Sequence, residues 1–155
     1  MRTTASAARF FLSSVLIFAI MSAGCSSHEP RSLTGTSWEL TSIQSMDDKQ
    51  GTTAVPDPTK FTVTFGADGN AHFQLDCNRG NGSYQAEPSD DDTSGTLTFG
   101  PIAVTMMMCP QPSLDQKVSS ALGAVRTYLF KDDQLYLSLM ADGGILAWRQ
   151  VTPSV

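Results

Sequence analysis

Strict alternation of apolar and polar residues constrains this chain more than any other feature. Phe61, Val63 and Phe65 alternate with Thr62 and Thr64, and Ala71, Phe73, Leu75 and Cys77 keep the same period after Gly66-Ala67-Asp68-Gly69. Successive strand side chains point to opposite faces, so this period writes a strand with one buried face. Two such runs joined by a Gly-rich tetrapeptide make a β-hairpin. The period returns at Leu97 and Phe99, at Ile102, Val104 and Met106, at Tyr128 and Phe130, and at Leu135, Leu137 and Leu139. Thr36 to Ile43 sets Trp38 and Leu40 on one face as a first strand, and Ile145 to Val151, with Trp148, supplies a last one. Turn signals separate neighbours, so the pairing is antiparallel and needs no crossover. The fold class is α+β, mainly antiparallel: about eight short strands curled into a partial barrel, which limits exposed edges.

The intervening segments read as follows. Gln44 to Pro58, with Gly51, Pro56 and Pro58, is a loop. Asn78 to Gly82 reads as a sharp turn, because Asn and Gly tolerate positive φ, with Tyr84 starting the next strand. Glu87 to Gly95 carries Asp90, Asp91 and Asp92. It reads as a solvated acidic loop, since a calcium loop needs alternate ligands and a terminal Glu. One helix, at about 113–125, follows Pro110 and Pro112. Ser113 and Gln116 have capping-box spacing, and Leu114, Val118, Ala121, Leu122 and Val125 form one apolar stripe that packs on the sheet.

The first 24 residues read as an address. Arg2 and Arg9 precede the apolar run Phe10–Ile20, which is short of the ~20 residues a membrane-spanning helix requires. Ser22-Ala23-Gly24-Cys25 resembles a bacterial lipobox, which implies cleavage before Cys25 and a diacylglycerol, with a further acyl chain such as palmitate, on that residue. Buried acyl methylenes contribute about 0.8 kcal/mol each to membrane attachment. Ser26, rather than Asp, follows the cysteine, and by the same resemblance this implies sorting to the outer membrane, facing the periplasm. The organisation is therefore signal peptide 1–24, lipidated tether 25–32 and one domain at 33–151. Cleavage removes Arg2 and Arg9 and no acid, taking the formal charge from −5 to −7. That charge repels phosphate backbones and disfavours nucleic acid as a partner.

With Cys25 acylated, Cys77 and Cys109 remain, and in an oxidising compartment such a pair is expected to bond. The alternatives are a redox-active thiol or a metal site, although neither CxxC nor a His/Cys cluster occurs. His72 is the one histidine of the domain and lies out of phase with the apolar face of its strand. No nucleophile-base arrangement, G-x-S-x-G, H-E-x-x-H or P-loop is present, so neither an enzyme nor a cofactor is expected. Asn78 is a candidate for holding its loop through backbone bonds, Arg79 for an exposed contact, and Thr105 for tying two strands by its hydroxyl. Met106, Met107 and Met108 read either as core or as a binding groove, since thioether surfaces adapt to varied partners.

Asp76–Tyr84 (DCNRGNGSY), Leu97–Pro110 (LTFGPIAVTMMMCP) and the Trp38 strand together resemble the META domain, the HslJ-like family of small bacterial lipoproteins. The resemblance runs over about Leu33–Val151 and carries Asn78, Gly82, Tyr84, Thr105 and Met108 as motif positions. Asp76 departs from the usual Gly, and Lys117 stands where an acid is common. The resemblance implies an envelope protein without assigned catalysis, associated with heat shock, antibiotic tolerance, motility or secretion. The expectation is a lipid-anchored binding module whose partner is an envelope protein or a small apolar ligand. Two other readings are a lysozyme- or protease-inhibitor lipoprotein, suited by the acidic charge, and a carrier of an apolar ligand within the barrel.

Overall fold

The computed structural model describes residues 31–47 and 49–151. The expected signal peptide, Cys25 and most of the expected tether lie outside the described residues.

Ten strands form one antiparallel sheet: β1 (Ser37–Gln44), β2 (Thr52–Ala54), β3 (Phe61–Phe65), β4 (Asn70–Leu75), β5 (Asn78–Pro88), β6 (Ser94–Phe99), β7 (Ala103–Val104), β8 (Val125–Lys131), β9 (Gln134–Leu139) and β10 (Ile145–Gln150). The sheet does not stop at a partial barrel. Beginning at β1, the order β1-β3-β4-β5-β6-β8-β9-β10 returns to β1, so eight strands close the wall. Closure pairs Trp38 with Gln150 and Leu40 with Trp148, and Arg149 reaches Glu39 across the seam at 2.6 Å. β2 and β7 stand outside the ring, paired to β1 and β5.

Alternation fills the interior as the sequence indicates. Trp38, Leu40, Val63, Phe65, Phe73, Leu75, Leu97, Leu135, Leu137 and Trp148 are all buried. Trp38 donates its indole N–H to Thr36 Oγ1 at 2.7 Å. A ring cluster of Phe65 with Tyr84 and Phe99, and Phe73 with Phe99, ties β3, β4, β5 and β6 together.

The segment Gln44–Pro58 is not all loop. Thr52–Ala54 pairs with the second half of β1 because β3 leaves that half free after Glu39, and Val55 enters the core. A short 3-10 turn follows at Pro58–Lys60, capped by Asp57. The helix, α1, covers Asp115–Leu122, shorter than 113–125. Ser113 Oγ accepts the Asp115 N–H at 3.2 Å, but Leu114 is the N-cap, so the reciprocal capping box is not made. Val118 and Leu122 carry the stripe into the barrel, and Val125 opens β8 instead of ending the helix. No described helix is long and apolar enough to cross a membrane.

The acidic segment is a built turn. Asp91 Oδ1 accepts the N–H of Thr93 at 3.0 Å and that of Ser94 at 3.2 Å, and the Ser89 hydroxyl at 2.9 Å. The Thr93 N–H, then the Ser89 hydroxyl, hold its carboxyl down at about 2. Among the described residues no group of three or more His, Cys, Asp or Glu is placed to hold a metal.

Candidate binding site

The stretch expected to turn at Asn78–Gly82 is instead the first half of β5. The turn sits one step earlier, at Asp76–Cys77, where Leu75 pairs with Asn78 and Asp76 takes φ 57°. Cys77 consequently leaves the β4 face and lies in the turn. Asn78, Gly80 and Gly82 are buried, whereas Arg79, Asn81 and Ser83 are exposed. The two glycines thus occupy interior positions where a side chain is excluded. A Cβ on Gly82 would come within 3.1 Å of both Ile102 Cγ1 and Pro101 O, and one on Gly80 within 3.3 Å of Phe73. Ile102 fills the space that the missing side chains leave.

Asn78 is the buried polar residue of the described chain, 3% exposed. Its Oδ1 accepts from the Met107 N–H at 2.8 Å and the Thr105 hydroxyl at 2.9 Å. Its Nδ2 donates to Met107 O at 3.0 Å and to Asp115 Oδ2 at 3.2 Å. This side-chain amide therefore exchanges with Met107 the same pair of bonds that one residue of a sheet exchanges with its partner. Thr105 completes the ladder: its N–H donates to Arg79 O at 2.9 Å, and its Oγ1 accepts from the Arg79 N–H at 3.0 Å. The ladder that starts as β5–β7 is thus prolonged by side chains from Ala103 to Met107.

Cys77 and Cys109 are joined, with Cα atoms 5.5 Å apart. The bond lies beside the Asn78 amide and fastens the end of this stretch to the β4–β5 turn. Met106, Met107 and Met108 are 94%, 62% and 96% exposed, so they are not core. The alternating parity holds through half-buried Ile102 and Val104 and leaves the barrel at Met106. Between these methionines and the flank of α1 runs a groove of about 520 Å³, floored by Leu75 and Asn78 and closed opposite by Asp115, Gln116 and Ser119.

The other sequence candidates lie apart from this groove. Tyr84 is near the opposite end of β5, its hydroxyl donating to Gly66 O and meeting Thr34 Oγ1, both at 3.0 Å. Arg79 is exposed, lining a shallow hollow with His72, and enters none of the ion pairs formed among the described residues. His72 faces outward, in register with Thr64 and Asn81. Sequence reasoning missed Asp115. The signal for it was slight: an acid in the first turn of α1.

The barrel has two distinct ends. Arg31 reaches Asp133 at 2.9 Å and lies over the Phe130 ring, at the end holding the Gly66–Gly69 and Lys131–Gln134 turns. The disulfide, α1 and the methionines are at the other. From Asn78 to Tyr84 the separation is about 20 Å at ~3.3 Å per strand residue.

The family model described as META domain matches residues 31–152. No curated protein matches the chain. Among solved structures, the chain is similar to the crystal structure of a DUF4847 family protein from Bacteroides vulgatus ATCC 8482. That similarity is 15% in identity, covers 77% of this chain and 95% of the other, and has a TM-score of 0.50, a likeness of fold.

Proposed function

Since the chain belongs to the META domain family, we propose that it is a non-catalytic binding module, tethered by lipid to the bacterial outer membrane and facing the periplasm, in a stress-response or secretion setting. The observation that carries the reading is the methionine groove. Three consecutive exposed thioethers are an apolar surface of the kind that marks interaction sites. They stand at the barrel end opposite Arg31, the first described residue. In this reading the lipid on Cys25 precedes Arg31 by six residues in sequence, so the groove lies at the end of the domain away from Arg31 and is free to meet other envelope proteins. Filling of the barrel interior by Trp148, Phe65, Leu40 and Leu137, all fully buried, supports surface binding over internal carriage.

Photo-crosslinking amino acids placed at Met108 and at Asp133 in living cells test this. A discrete protein adduct from position 108 that position 133 does not give, and that Cys25→Ala abolishes along with membrane fractionation, is the expected result. Identical adducts from both positions, or none from 108, would overturn it.

A further inference from the structure

Resting on that reading of the groove, we infer that the stretch Ala103–Met108 receives an extended polypeptide segment as an added β-strand. One side of this stretch is fully engaged. Ala103 and Val104 pair with Asn81 and Gly80, Thr105 bonds Arg79, and Met107 bonds the Asn78 amide through both its N–H and its C=O. In an extended chain alternate residues aim their peptide groups to opposite sides. The N–H and C=O of Met106 and Met108 therefore point away from β5. Among the described residues neither methionine finds a backbone partner.

Barrel closure normally removes such edges. Here it does not, because β8 pairs with β6 only at Ser94–Thr96, opposite Thr127–Leu129. Beyond Thr96 no strand among the described residues pairs on this side, and Val104–Met108 lie across the groove from α1. A strand edge beside a groove is the arrangement used in β-strand addition: main-chain bonds supply affinity and alternate side chains supply selectivity.

The occupant's chemistry follows from the walls. Apolar side chains at alternate positions contact Met106 and Met108, which adapt to different shapes. Among the described residues Asp115 is the one ionisable group lining the groove, and it sets a carboxylate there with Oδ2 held by Asn78. With a whole-chain charge of −5, the segment that fits is apolar with interspersed Lys or Arg, belonging to another protein. A second copy of this chain brings a like-charged surface instead.

The mature lipidated protein in detergent micelles is titrated with the blocked hexapeptide Lys-Val-Lys-Val-Thr-Val, following amide resonances. Saturable downfield shifts at Met106 and Met108 are expected. Binding should fall at least about tenfold when alternate peptide amides are N-methylated, and several-fold when Glu replaces Lys, since charge-assisted contacts add to main-chain bonds. Met106→Pro removes a free N–H and should abolish binding with the thermal midpoint retained, whereas Met106→Leu should keep it. Binding indifferent to N-methylation, or shifts confined to other residues, would overturn strand addition. So would concentration-dependent shifts at Met106 and Met108 without peptide, which identify a second copy as the occupant. If a crosslink from position 108 in cells survives Met106→Pro unchanged, strand addition fails while the binding module stands. If no crosslink forms at all, the module reading itself fails.

Discussion

A single buried amide positions the groove. Asn78 satisfies both of its polar atoms on Thr105 and Met107 of one stretch and on Asp115 of α1, so it joins β5 to two other pieces of chain. Asn78→Ala removes its bonds to the Met107 N–H and C=O, the Thr105 hydroxyl and Asp115, each worth about 0.5–1.5 kcal/mol net. A loss of about 2–4 kcal/mol in urea titration is expected. Thr105→Val removes one hydroxyl and should cost about 1 kcal/mol. The role of Asn78 was half legible: an Asn bonding the backbone was foreseen, but with turn geometry, because Asn and Gly weigh toward turns when read locally. The competing signal, Asn78, Gly80, Gly82 and Tyr84 at period two, was present in the same residues. Asp91 gives a pH signature at this scale. Its carboxyl is held at about 2, below the ordinary 3.8, so its contribution to the Ser89–Ser94 turn is complete above 3.8 and is lost as pH falls through about 2. The amide resonances of Thr93 and Ser94 should titrate with a midpoint near 2, and a midpoint near 3.8 would show those bonds absent.

At the scale of elements, β5 joins the barrel wall to the groove. Its interior glycines leave room for Ile102, so Gly82→Val overpacks the wall against Ile102 and Pro101 O. Overpacking costs about 1–3 kcal/mol, and thermal denaturation should show it. Gly82→Ala should cost less but remain destabilising. The disulfide ties the β4–β5 turn to the chain ahead of α1. Closing a loop of some 33 residues contributes about 3–4 kcal/mol in the chain-entropy account, so Cys77→Ser is expected to lower unfolding free energy by about 2–5 kcal/mol. A change below about 0.5 kcal/mol would be at odds with that linkage. Strands with strict alternation, β3, β4 and β9, were legible outright. β2 was not, since three residues between Gly51 and Pro56 pair only because β1 outruns β3.

Across the whole molecule, the sequence indicated curvature but not closure. Closure depends on the register of β1 against β10, with Glu39 beside Arg149, two residues far apart in the chain whose pairing no local period encodes. The groove was illegible for a related reason: it lies between Val104–Met108 and α1 above Leu75 and Asn78, pieces of chain that meet only once the barrel is assembled. Assembly also separates the two ends, Arg31 at one and the methionines at the other, and leaves the backbone of Met106 and Met108 unpaired among the described residues. Hydrogen exchange read residue by residue tests that open edge most directly. The Met107 amide, bonded to the buried Asn78 side chain, should exchange slowly, while its neighbours Met106 and Met108 exchange almost as fast as in an unstructured peptide. Uniform protection across all three would mean the edge is already covered, and uniformly fast exchange would mean that no strand is held there.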